Sequence, residues 1–181
     1  MSGMKAFLIG SAAAGLAVYA LTAIPASGQT SALRGHNSNA PVDWAADRIE
    51  VQDRANRVIL SGNVVAKQGQ LTLSAGRITV AYSSTGGIDI HRMDASGGVT
   101  VKSPSETARG QFGIYDLDRK IITLIGGVSL VQKDANVRGG RLTIDLESGR
   151  AVMDGGGPPG TVSQGGRVSG TFTVPQRSGR Q

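Results

Sequence analysis

Residues 58–80 read VILSGNVVAKQGQLTLSAGRITV, and three alternating pairs inside this stretch, Val58-x-Leu60, Leu71-x-Leu73 and Ile78-x-Val80, decide the fold class. Side chains two positions apart share one face of a strand, so each pair marks a strand with a single apolar face. Outward in both directions the same period returns in Ile49-x-Val51, Ile88-x-Ile90, Phe112-x-Ile114 and Leu142-x-Ile144-x-Leu146. Between Trp44 and Asp154 no window carries the spacing of an amphipathic helix, because glycines or β-branched residues interrupt every candidate. The expected domain is all-β.

Glycines mark an internal repeat. Gly62-Asn63-Val64, Gly97-Gly98-Val99 and Gly126-Gly127-Val128 recur 35 and 29 residues apart. A second marker, a small residue, a polar residue, then apolar-x-apolar, follows 14, 13 and 14 residues later at Gly76-Arg77-Ile78, Gly110-Gln111-Phe112 and Gly140-Arg141-Leu142. Asp47-Arg48-Ile49 is an earlier copy of it. The pattern predicts about four strand-pair units of roughly 30 residues, joined by turn-rich links at 53–57, 83–87, 116–119 and 147–150. One such unit cannot bury its own apolar face, so neighbours must stack, and the recurrent glycines fit bulges where strands bend inward.

Composition narrows the function. With no cysteine there is no disulfide framework, thiolate nucleophile or Cys-ligated metal site. The net charge of +6 raises nucleic acid or an anionic surface as a partner. Residues 41–154, however, hold 14 Lys and Arg against 13 Asp and Glu, with no regular series of stacking aromatics, so no nucleic-acid partner is expected. The excess sits at the termini, in Lys5, Arg34, Arg167, Arg177 and Arg180.

Residues 1–28 have the layout of a secretory signal: Lys5, an uncharged apolar run from Ala6 to Ile24, then Pro25 and the small residues Ala26, Ser27 and Gly28. Cleavage ahead of Gln29 and a periplasmic location are expected. The run is also close to the length that spans a bilayer, which keeps an uncleaved inner-membrane anchor as the alternative. Residues 29–43 are polar and read as a flexible lead-in containing His36, with no partner nearby in the sequence. Residues 155–181, rich in Gly and containing Pro158-Pro159, read as a flexible tail in which only 168–174 alternates and suits an edge strand.

The segment from Ala46-Asp47-Arg48-Ile49-Glu50-Val51 through Leu60-Ser61-Gly62-Asn63-Val64-Val65-Ala66-Lys67-Gln68-Gly69 to Ala75-Gly76-Arg77-Ile78 resembles the OstA-like family of lipopolysaccharide-export proteins, in its periplasmic LptA-type form. Asp94-Ala95-Ser96-Gly97-Gly98-Val99 and Leu124-Ile125-Gly126-Gly127-Val128 echo the motif, and the resemblance covers about 44–154. It implies a V-shaped antiparallel β-jellyroll, open at both ends, with an apolar interior for the acyl chains of lipid A. It also implies edge-strand partners in LptC-like and LptD-like jellyroll domains, head-to-tail homo-oligomers, and no cofactor. The anchored LptC-like member of the same pathway and a β-repeat scaffold that carries no lipid are the alternatives.

The expected groove lining comes from the alternating runs. It takes Ile49, Val51, Leu60 and Val64 from the first part, then Leu71, Leu73, Ile78 and Val80. Val99, Val101, Phe112 and Ile114 follow, and then Leu124, Val128, Leu142 and Ile144. The same residues describe an ordinary packed core, but large fillers are scarce: the aromatics of 44–154 are Trp44, Tyr82, Phe112 and Tyr115. Mid-sized aliphatics with glycine suit a groove that stays open. Enzymatic chemistry has little support. Asp89 and His91 share a strand face but lack a third ligand or a nucleophile, and a solvated polar face is the simpler reading. The run at 155–160 lacks the Lys-Ser/Thr of a phosphate loop.

Overall fold

A computed structural model of the chain describes residues 36–84, 86–156 and 166–173. The signal segment expected at 1–28 lies outside these residues, as do most of the lead-in and much of the tail. The strands are β1 (Val42–Ala45), β2 (Arg48–Gln52), β3 (Arg57–Gln68), β4 (Leu71–Ser83), β5 (Asp89–Lys102), β6 (Glu106–Asp116), β7 (Ile121–Gln132), β8 (Ala135–Asp145), β9 (Arg150–Asp154) and β10 (Ser169–Phe172). All pair antiparallel in one sheet, in sequence order from β3 to β8. The edges are split. β1 and β2 pair with successive halves of β3, while β10 and β9 pair with successive halves of β8.

The glycine markers are the corners of this sheet. Every ladder from β3 to β8 slips register at them: between Ser61 and Val64, Ser74 and Arg77, Ser96 and Val99, Arg109 and Phe112, and Ile125 and Val128. The first marker falls on β3, β5 and β7, and the second on β4, β6 and β8. Gly97 has φ +80°, and a Cβ on Gly76 would lie 3.2 Å from the Gly97 carbonyl oxygen, so two strands meet where neither tolerates a side chain. Asp47 holds the matching place between β1 and β2. Its N–H donates to the Gly62 carbonyl at 3.0 Å, and its carboxylate accepts from Asn63 Nδ2 at 2.9 Å.

The line of corners divides the sheet into two wings that face each other. One contains β2, β9 and residues 57–61, 77–83, 89–96, 112–116, 121–125 and 141–145; we call it the β2 wing. The β1 wing contains β1, β10 and residues 64–68, 71–75, 99–102, 106–109, 128–132 and 135–139. Their inner faces share one apolar core, with Ile78 and Leu124 fully buried and Val64, Val99, Val128, Leu142 and Ile144 nearly so. Each such side chain contributes about 1.5–3 kcal/mol by leaving water.

One expected strand face is reversed. On β6, Tyr115 and Gly113 pair with the buried Met93 and Ala95, whereas Phe112 and Ile114 pair with Ser96 and Asp94 on the outside. Phe112 is 52% exposed, whereas Ile114 is half-buried and borders a small gap beside Tyr115. Both parities of this run are apolar, so alternation alone does not choose between them. The inner position must be glycine, because a Cβ on Gly113 would lie 2.9 Å from Val99 Cγ1 and 3.1 Å from Leu124 Cδ2. Phe112 is therefore not part of the inner wall, and Ile114, paired with Asp94, borders only the small gap beside Tyr115.

Candidate functional site: an open cavity between the wings

At the β1/β2 end the wings part around a cavity of about 340 Å³. Its floor is Leu60, Ile78, Val80 and Met93 of the β2 wing, and Ala66 of β3 faces them from the β1 wing. Trp44 of β1 pairs with Ala66, and Ile49 and Val51 of β2 pair with Leu60 and Val58, so all three turn inward. Inward they border the cavity and stay open to it. Trp44, Ile49, Val51 and Ile88 are all exposed, Val51 by 56% and Ile88 by 80%. Four large apolar side chains around one concavity form a patch of the kind that marks a binding surface rather than a scatter of surface residues.

The polar groups of the cavity are at its rim. Tyr82 Oη donates to Asp53 Oδ1 at 3.4 Å. Partial desolvation, with the Asp53 carboxylate nearby, raises the Tyr82 pKa, so its hydroxyl stays protonated. Beyond Met93 the interior closes to gaps of about 20 Å³. There Gln68 at the end of β3 is buried, and its amide is fully used. Nε2 donates to the carbonyls of Ser38 and Ala40, at 2.8 and 3.0 Å, and Oε1 accepts from Tyr115 Oη at 3.0 Å while meeting His36 Nε2 at 3.0 Å. Residues 36–40 thus lie as a strap over the seam between the wings.

The expected lining separates into three groups. Ile49, Val51, Leu60, Ile78 and Val80 come together around the cavity. Leu71, Leu73, Val101, Ile114 and Leu124 border the small gap beside Tyr115, and Phe112 is outside. Val64, Val99, Val128, Leu142 and Ile144 are buried in the packed core. Sequence reasoning missed Val42, Trp44, Asp53, Val58, Ala66, Tyr82, Ile88, Ile90 and Met93 as cavity residues. The inward parity of Val42 and Trp44 opposite Ala66 follows from β1 pairing with β3, which local alternation does not reveal.

His91 and Asp89 lie away from the cavity. His91 Nδ1 meets Asp118 Oδ1 at 3.1 Å on the exposed hairpin tips, and that bond, with Asp89 contributing, raises the histidine pKa. Among the described residues no three His, Cys, Asp or Glu side chains gather as metal ligands. No described helix is long and apolar enough to cross a membrane.

Residues 45–150 match the family described as LptA/(LptD N-terminal domain) LPS transport protein. An uncharacterized protein of Rhizobium meliloti is 32% identical over 125 residues, covering 65% of this chain and 67% of that protein. Among solved structures, the fold is similar to that of LptH, the LptA-homologous periplasmic component of the lipopolysaccharide transport device of Pseudomonas aeruginosa. The TM-score is 0.67 at 16% identity, over 77% of this chain and 99% of that one.

Proposed function

The chain belongs to the LptA/(LptD N-terminal domain) family of lipopolysaccharide transport proteins, and we propose that it is a periplasmic carrier whose wings shelter the acyl chains of lipopolysaccharide between the inner and outer membranes. The observation that carries this reading is the open cavity of about 340 Å³ ringed by Trp44, Ile49, Val51 and Ile88. Its volume falls in the range of about 300–1,000 Å³ usual for ligand sites. Each methylene moved from water to an apolar wall gains about 0.8 kcal/mol, so full shelter of a 12–14-carbon chain is worth roughly 10 kcal/mol. Past Met93 the inner face continues through Leu71, Leu73, Val101 and Leu124, so parting the wings lengthens the same apolar surface.

Binding and release on such a surface need no covalent step, and the role is non-enzymatic. Among the described residues the split edges β1/β2 and β9/β10 are paired on one side only, which suits strand addition by LptC-like and LptD-like jellyroll domains or by further copies of the chain. Residues 1–28 would be the export signal, 29–43 a lead-in whose last part joins the domain as the strap at 36–40 and the start of β1, 44–154 the rest of the carrier domain and 155–181 a tail whose β10 caps half of β8. Native protein whose intact mass begins at Gln29 fits this organisation; retention of Lys5 would favour the anchored LptC-like form.

The direct test is lipid A binding by Ile49→Asp/Val51→Asp. Both side chains are exposed, so folding is kept while two charges enter the apolar mouth. The expected result is affinity at least about tenfold weaker, and unchanged affinity would favour a scaffold that carries no lipid.

A further inference from the structure

The outer faces of the two wings differ in a way the cavity does not explain. On the β1 wing, the row nearest the hairpin tips carries Lys67 and Lys102 on either side of Thr72. The row behind it carries Arg109 and Arg138 on either side of Ser129. All four cations are exposed; the exposed carboxylates of this wing among the described residues are Asp43, directly opposite Lys67 across the β1–β3 ladder, and Asp134 in the β7–β8 turn, so Lys102, Arg109 and Arg138 have no carboxylate as a cross-strand neighbour. On the β2 wing the outward arginines are interleaved with Glu50, Asp94, Asp116, Asp145 and Asp154. The ion pairs His91–Asp118, Arg92–Asp94, Arg119–Asp116 and Lys120–Glu147 lie on that wing or its tips.

Sheet geometry makes the four cations a stripe. Lys67 and Lys102 are two strands apart, as are Arg109 and Arg138, which is about 9–10 Å in each case. Lys102 and Arg109 are diagonal neighbours on adjacent strands, about 7–8 Å apart. These steps are comparable with the screening length of about 8–10 Å at ordinary salt, so the cations share one positive potential that a bound anion lowers. Hydroxyls of Thr72, Thr107 and Ser129 lie between them. One end of the stripe reaches the seam: Lys67 precedes the buried Gln68 and borders the gap between the wings beside Val42 and Tyr115.

We infer that this stripe seats the phosphate groups of the head group of a lipid whose chains lie between the wings. The inference rests on the carrier reading and adds the place of the head group to it. A phosphorylated sugar cannot follow acyl chains into an apolar interior without losing its hydration, so it stays outside the seam. Draped over the β3–β4 lip, it meets Lys67 first, then Lys102 and the two arginines, with the Ser and Thr hydroxyls facing the sugar.

The test compares bisphosphorylated lipid A with its dephosphorylated form at low ionic strength, alongside a neutral acyl-chain probe of the cavity. Three proteins are used: the intact chain, a stripe variant (Lys67→Ser, Lys102→Ser, Arg109→Ser, Arg138→Ser) and a β2-wing variant with the same loss of charge (Arg48→Ser, Arg57→Ser, Arg77→Ser, Arg141→Ser). The intact chain and the β2-wing variant are expected to prefer the phosphorylated form by about tenfold, and the stripe variant by less than about twofold. The neutral probe should bind all three alike, which also reports that each is folded. A stripe variant that keeps the preference, or a β2-wing variant that loses it equally, overturns the assignment. So does a stripe variant that loses binding only to phosphatidylglycerol vesicles, which would make this face a membrane-docking surface. Failure of the intact chain to bind the neutral probe or either lipid overturns the carrier reading, and the seat with it.

Discussion

Tyr115 Oη donates a hydrogen bond to Gln68 Oε1 at 3.0 Å, joining the β2 wing to the β1 wing across their seam. Burial raises the Tyr115 pKa, so the hydroxyl remains a donor. The same Gln68 amide holds Ser38, Ala40 and His36, which makes one side chain the clasp of both the seam and the strap over it.

Removing the clasp should cost more than removing one of its partners. Tyr115→Phe leaves Gln68 Oε1 with His36 and should cost about 1 kcal/mol. Gln68→Leu strands the Tyr115 hydroxyl and two strap carbonyls and should cost about 1–3 kcal/mol, with faster proteolysis near residues 36–41. Thermal unfolding and limited proteolysis check this; equal stability of the two variants would contradict it.

Neighbouring glycines at one corner should respond differently. Gly97 and Gly98 have φ +80° and +81°, so alanine strains either one by about 1 kcal/mol or more. A Cβ at Gly97 would in addition lie 3.2 Å from Gly76 Cα, whereas one at Gly98 meets open space. Gly97→Ala is therefore expected to be the less stable variant in denaturant melts. The reverse order would mean that the corner is not held by the β4–β5 approach.

The His91–Asp118 bond predicts a pH dependence with a definite sign. Because the folded-state pKa of His91 is raised, first by the Asp118 hydrogen bond, its stabilisation is complete below the ordinary imidazole pKa and disappears as pH rises through the raised value. Asp145 acts at the acid end. Its pKa is lowered chiefly by hydrogen bonds from the backbone N–H and hydroxyl of Ser148, so its stabilisation is present above the ordinary carboxylate pKa and lost as pH falls through the lowered one. Asp118→Asn should bring the NMR titration midpoint of His91 down, and an unmoved midpoint would contradict the assignment.

Much of the architecture was legible because the repeat markers are backbone requirements. Gly62, Gly97 and Gly126 recur where a strand must turn a corner, and Asp47 takes the matching place where the first edge is split. What was not legible depends on contacts between distant residues. Phe112-Gly113-Ile114-Tyr115 is apolar on both parities, and the register slip between Arg109 and Phe112 puts glycine and tyrosine inside, where Val99 and Leu124 leave little room for a side chain at 113. His36 has no partner nearby in the sequence, yet it meets Gln68, 32 residues away. Open cavity and packed core look alike in an alternating pattern, so Ile78 and Leu124 were equal candidates until the splayed β1/β2 end set them apart.

The central claim is that acyl chains pass between the wings. Site-specific photo-crosslinking in living cells tests it most directly, with the photoreactive residue at Val51 or Ile88 in the cavity mouth and at Phe112 on the outer face as the control. The account predicts lipopolysaccharide adducts at Val51 and Ile88 and none at Phe112. Adducts at Phe112 with none at the two cavity positions would contradict it.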